Sequence, residues 1–396
     1  MKRLVAFVAT ALMAMSGIAQ AQTVPVPNGG GFVSGDEVEH AGFVPFEVGT
    51  ATGVSIYGKY MYLTSWKNIS IYDISDPVNP VLQGQPYPVG FWFENEDVQV
   101  TPDGRTLFFA ESLPGNSLHI MDVEDKTNIQ PLADLELAGD HTTTCILKCK
   151  YLYGSDGSIV DVRNPAEPKL IASNDGTVGT RWTELATGQD YSNHDVTEVK
   201  PGFILDAPIS GPFHYIDVRN PVKPKVIAVG VKEASETGWL FHSARWPNNT
   251  KDDFILMQGE DNANPRCGAQ NGPFQTYDAT KYKKTKTFTI IDTYRVTNGT
   301  YVDGSPAVNA LGCSAHWFQE HPTFRNGGLV GMGYYEHGTR FFRVDSKGKI
   351  KEEGWFQPVN GSTSGWYWAS TSKSERVGYS VDYTRGIDIL KWNGDL

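Results

Sequence analysis

Residues 157–173 read GSIVDVRNPAEPKLIAS, and residues 213–230 read FHYIDVRNPVKPKVIAVG. In both, apolar residues alternate up to an Asp, an Asn-Pro pair follows, and a second Pro leads into another apolar run. Alternation with period two marks a strand with one face buried. Asn-Pro favours a turn, because the residue before proline is pushed out of the helical region. The pattern recurs as ISIYDISDPVNPVLQGQ from Ile69 and LHIMDVEDKTNIQPLADL from Leu118. Weaker copies are FTIIDTYRV from Phe288, FFRVDSKGKI from Phe341 and GIDILKW from Gly386. The motif residues Asp73, Asp122, Asp161, Asp217 and Asp292 stand at turn starts, where a carboxylate accepts backbone N–H groups.

Two further strand-like runs precede each copy. In the third unit they are HTTTCIL from His141 and KYLYGS from Lys150; in the fourth, HDVTEV from His194 and GFILDAP from Gly202. Each unit is therefore expected to be a four-stranded meander. One meander exposes its edges and lacks a core, whereas radial repetition buries each face against a neighbour. The expected fold is all-β, a seven-bladed β-propeller with blades near 46–90, 95–139, 141–190, 193–235, 241–308, 313–360 and 364–396. The last unit is one strand short. The segment Val38–Phe43 is expected to supply that strand, so that residues 22–45 close the ring within a single domain spanning 22–396.

The repeat, carried most clearly by GSIVDVRNPAEPKLI and FHYIDVRNPVKPKVI, resembles the LVIVD family of bacterial propellers over roughly residues 44–396. The resemblance implies a fold and assigns no activity.

Lys2 and Arg3, the apolar run Leu4–Met15 and the small-x-small segment Ala19-Gln20-Ala21 read as a signal peptide over residues 1–21. The apolar run is too short to span a bilayer. The expectation is an exported, periplasmic or secreted protein with no integral membrane segment once the leader is removed, acting as a monomer. The formal charge of −11 disfavours nucleic acid as a partner. An even count of four cysteines in an oxidising compartment suggests disulfides. Of the three possible pairings, Cys145–Cys149 with Cys267–Cys313 is preferred. Thiolate ligation of a soft metal is the weaker alternative, since C-x3-C is not a tight zinc spacing.

Four of the nine histidines begin the first strand of successive units: His141, His194, His242 and His316. Glu96 holds the matching place one unit earlier, and Glu96-Asp97-Val98 parallels His194-Asp195-Val196. The first strand of each blade lines the channel, so these residues should converge at its mouth as metal ligands. Imidazole suits copper, iron and zinc. Metal-bound imidazoles usually donate their second N–H to a carboxylate or carbonyl, and Glu260 and Glu336 are the candidates for that supporting role. Trp317, Tyr334, Tyr335 and Trp366 are expected to wall a pocket above the site. The first and last units offer Thr52 and Trp366 at the ring position, which leaves the site lopsided. Residues 261–286 read as a long loop capping this face, and His321 as a surface residue.

Two readings follow. One is an exported propeller with a copper, iron or zinc centre supporting redox chemistry on a small molecule. The other is a non-catalytic binding or scaffold propeller that docks an extracytoplasmic protein, peptide or glycan. No G-x-S-x-G elbow, Walker loop or dinucleotide fingerprint is present, so no nucleotide cofactor is expected.

Overall fold

The computed structural model describes residues 31–45, 51–65, 67–88, 95–111, 117–138, 141–232, 238–261, 271–296, 312, 314–359 and 361–396. The leader read at 1–21, Cys267 and Cys313 lie outside these residues. The chain folds as an all-β propeller. Antiparallel meanders succeed one another: Ala51–Tyr57, Tyr60–Ser65, Asn68–Asp73 and Val81–Leu82; then Gln99–Val100, Thr106–Glu111, Ser117–Asp122 and Gln130–Glu136; then Thr143–Ile146, Tyr151–Gly154, Ile159–Asp161 and Lys169–Ala172. Next come Asn193–Lys200, Phe203–Pro208, Phe213–Asp217 and Lys225–Gly230, followed by Leu240–Arg245, Phe254–Glu260, Phe274–Asp278 and Thr287–Tyr294. These last two meanders merge at their outer edges, where Val229 and Gly230 pair in parallel with Thr287 and Phe288. Phe318–Glu320, Gly328–Gly333, Thr339–Val344 and Ile350–Pro358 follow, with Phe32–Ser34 on their outer edge.

The sheet Thr363–Trp368, Val377–Asp382 and Gly386–Trp392 takes its outer strand from Val38–Pro45, in register from Val38 opposite Trp392 to Pro45 opposite Gly386. At this junction His40 Nε2 lies 2.9 Å from Asp388 Oδ1, and Arg385 Nη2 reaches the same oxygen at 2.8 Å.

The core lies between sheets, because each meander is apolar on both faces. Val54, Leu63 and Tyr72 pack with Tyr379, Val381 and Ile389, joining the 51–88 sheet to the last one. Tyr62, Ile69 and Ile71 pack with Leu107, Phe109 and Met121. Similar clusters join each remaining pair of successive sheets. A fully buried Leu or Phe side chain contributes about 1.5–3 kcal/mol from water exclusion, so these interfaces hold the sheets radially.

The repeated Asp acts at its turn as expected. Asp73, Asp122, Asp161 and Asp217 each accept the backbone N–H two residues on, at 2.8–3.1 Å. One weak copy occupies a different strand from the one expected. FTIIDTYRV forms the outer strand Thr287–Tyr294, while the third strand of that meander is Phe274–Asp278. Asp278 makes the turn there, accepting from Thr280 N–H at 2.7 Å. A β-bulge between the third and fourth strands at Thr276/Tyr277 matches those at Ile120/Met121, Tyr215/Ile216 and Phe341/Phe342. Residues 261–286 therefore contain a strand and are not one long loop. His321 is buried and not a surface residue: its Nε2–H donates to Glu375 O at 2.7 Å, and its ring meets Trp368 edge-on.

Candidate metal centre

The inner strands run parallel around the axis, as the bridges Asp97–Thr142 and Trp317–Gly365 show. Their N-terminal ends share one face. Antiparallel second strands end on that same face, which brings Glu260, at the end of Phe254–Glu260, back to the histidines.

Four of the five ring residues form a buried group. Glu96 Oε1 lies 3.1 Å from His316 Nε2, and Glu96 Oε2 lies 3.5 Å from His242 Nε2 and 3.8 Å from His194 Nε2. His141 stands at the end of the row, its Nε2 3.0 Å from His194 Nε2. The rings of His194 and His242 are 3.7 Å apart, and those of His242 and His316 4.4 Å. Glu260, expected in a supporting role, lies closer: its Oε1 is 4.0 Å from His316 Nε2. Glu96–His194–His242 and His242–Glu260–His316 each bring one ligand atom per residue within 4.8 Å of the others.

The surroundings orient these groups. His316 Nδ1–H donates to the Ser364 carbonyl at 2.6 Å, which turns Nε2 toward Glu96. Trp317 Nε1–H donates to Glu96 Oε2 at 3.0 Å, and Tyr383 O–H to Glu96 Oε1 at 2.7 Å. Tyr335 O–H donates to Glu260 Oε1, and its ring lies 4.6 Å from that of His316. Tyr335 holds a left-handed backbone (φ 39°) in the turn after Gly328–Gly333. Such a conformation is costly for a bulky residue and tends to be kept where function needs it. Gly53 of the 51–88 sheet allows the close packing opposite, since a Cβ there would stand 2.6 Å from Glu96 O.

Charge is divided unevenly over this row. Burial disfavours the His316 imidazolium, but attraction and hydrogen bonding from Glu96, aided by Glu260, outweigh it and hold its pKa up at about 9. Burial likewise opposes charge on Glu96, yet His316 and His242 keep it ionised well below the usual carboxylate range. Burial, then repulsion from His242 and His141, pushes His194 well down. Burial and the charge of His316 lower His242. His194 and His242 are therefore neutral and present lone pairs. His194 Nδ1 and His242 Nδ1 are buried without a hydrogen-bond partner. Desolvating such atoms costs about 1–3 kcal/mol each unless something binds them. A cation suits them: neutral imidazoles beside an ionised carboxylate are the donor set of copper, iron and zinc.

Other expected site residues are placed elsewhere. Tyr334 packs with Phe274, Phe318 and Phe342 inside the core. Trp366 is fully buried among Phe341, Trp368 and Trp392. Neither walls a pocket, because each side chain points into a sheet interface. Ser364, two residues earlier, holds the ring position of the last sheet. Glu336 sits beside Ser362, whose Oγ lies 3.4 Å from its Oε1. The side chain of Thr52 lies outside the described residues. Cys145 and Cys149 are at disulfide distance, 2.07 Å.

Tyr383, Asp97 and Asp195 were not singled out from sequence. Asp97 and Asp195 follow two ring residues directly. Burial, then repulsion from Asp195, raises Asp97 well above its ordinary range, and burial raises Asp195 to about 6. The shared Glu-Asp-Val and His-Asp-Val triplets were the available signal for both. Tyr383 carried none, since its reach to Glu96 depends on the last sheet approaching the second around the axis.

The LVIVD repeat family model matches residues 48–86. No curated protein sequence matches the chain. Among solved structures, the β-propeller domain of Cps50 (Swd1) from Myceliophteria thermophila aligns with TM-score 0.58 at 11% identity, over 89% of this chain and 99% of that one. The WD40 β-propeller domain of Doa1 aligns with TM-score 0.57 at 9% identity, over 90% and 98%. At such identities the likeness is one of fold alone.

Proposed function

We propose that this LVIVD-repeat propeller is a metal-binding protein whose centre lies on the channel axis, with Glu96, His194, His242 and His316 as ligands. His141 and Glu260 border the centre at its two ends. Seven meanders form the ring, and the pairing of Val38–Pro45 with Gly386–Trp392 supports closure by the N-terminal strand. The leader-like residues 1–21 support export to the periplasm or beyond. Among the described residues, no helix is long and apolar enough to cross a membrane. Copper, iron and zinc match the ligand types, and redox chemistry on a small molecule at copper or iron is the activity favoured. The observation that carries this reading is the buried group of imidazoles gathered around one carboxylate, with ligand atoms of each triad within 4.8 Å of one another.

The test is elemental analysis of mature protein purified without an affinity His-tag or chelator. Bound copper, iron or zinc that is lost in the His194→Ala/His316→Ala variant is the expected result. Absence of metal, with no uptake from added ions by folded protein, overturns it. The Glu96–His316 ion pair favours a second reading, in which the row is a structural network inside a binding propeller. That outcome predicts partner capture unchanged by the same double substitution.

A further inference from the structure

The row of ligands is longer than one ion needs. A tetrahedral ion with bonds near 2.0 Å sets neighbouring ligand atoms about 3.3 Å apart. Three pairs have close to that spacing: His141 Nε2 with His194 Nε2 at 3.0 Å at one end, His316 Nε2 with Glu96 Oε1 at 3.1 Å at the other, and His242 Nε2 with Glu96 Oε2 at 3.5 Å between them. The two ligand triads, Glu96–His194–His242 and His242–Glu260–His316, share only His242. Glu96 turns one oxygen to His316 and the other to His242 and His194. His242 is wholly buried between its neighbours, and its Nδ1 lacks a hydrogen-bond partner.

We infer that the centre holds two divalent cations bridged by Glu96, one on the His141–His194 side and one on the His316–Glu260 side, with His242 between them. This rests on the metal-binding reading and extends it. Paired metal ions in proteins commonly sit about 3.5–4 Å apart, a distance that the two oxygens of one carboxylate can span.

The experiment uses the mature chain, stripped of metal and dialysed against Co(II) or Cu(II), with bound metal counted per chain. Wild type should saturate at two equivalents. His141→Ala/His194→Ala and Glu260→Gln/His316→Ala should each saturate at one, with circular dichroism reporting folding. On wild-type protein loaded with Cu(II), the electron paramagnetic resonance spin count should fall clearly below the copper content, because bridged ions couple. This readout needs no variant. Saturation at one equivalent with a full spin count overturns the two-ion centre and leaves the metal-binding reading standing. No binding of either ion overturns both.

Discussion

His316 Nε2 stands 3.1 Å from Glu96 Oε1, linking the inner ends of two sheets that are not neighbours in the chain. In metal-free protein this ion pair makes stability depend on pH. His316 titrates near 9 when folded, against 6.5 ordinarily. Its contribution is fully present below pH 6.5 and is lost as pH rises through about 9. Glu96, depressed in the fold, contributes above its ordinary 4.5 and loses that as pH falls through its lower folded value. The stability of the metal-free protein should therefore decline between pH 6.5 and 10 by on the order of 3 kcal/mol, and its Tm should fall with it. Thermal melts across that range check this, and His316→Gln should flatten the decline. An equally steep decline in the variant would assign the effect to other groups.

Trp317 acts on the centre through Glu96. Trp317→Phe keeps most of the ring and removes the 3.0 Å Nε1–H···Oε2 bond. Outer hydrogen bonds to ligands typically matter 10–100-fold, so Co(II) affinity should fall by about that factor. Isothermal titration would measure it. Unchanged affinity would show that Tyr383 orients Glu96 by itself.

Asp388 holds the chain ends together. It is fully buried between His40 and Arg385. Asp388→Ala strands a buried cation, which costs about 3–5 kcal/mol. Urea unfolding should show that loss. A smaller loss, under about 1 kcal/mol, would mean that the Val38–Pro45 strand is held by its backbone pairing alone.

Gly331 leaves room for Trp366. An added Cβ would stand 2.2 Å from Trp366 Cδ1, and Gly378 faces the same ring from the other side at 2.4 Å. Gly331→Ala should destabilise by about 1–3 kcal/mol through overpacking. Metal content should stay unchanged, since Trp366 lies in the core. Loss of metal in folded Gly331→Ala protein would connect this interface to the centre.

Much of the fold was legible because a propeller repeats itself. A short motif with period-two alternation, a turn Asp and two prolines recurs, and each copy reports the same local geometry. Reading failed where copies were weak. FTIIDTYRV resembled a third strand, but the bulge at Thr276/Tyr277 and the Asp278 turn belong to Phe274–Asp278. Alternation alone cannot separate adjacent strands with the same apolar period. Trp366 and Tyr334 were misplaced for a related reason: a one-residue change along a strand moves a side chain from one face to the other.

The strand-and-turn repeat and the alignment of Glu96, His141, His194, His242 and His316 at one position of it are written in the amino-acid order, because they depend on local spacing. It takes the folded chain to bring Glu260 and Tyr335 within reach of His316, to set Tyr383 and Trp317 against Glu96, and to let Ser364 turn His316 toward it. Most of those contacts join different sheets, and their distances depend on how the sheets pack around the channel, which no local pattern records.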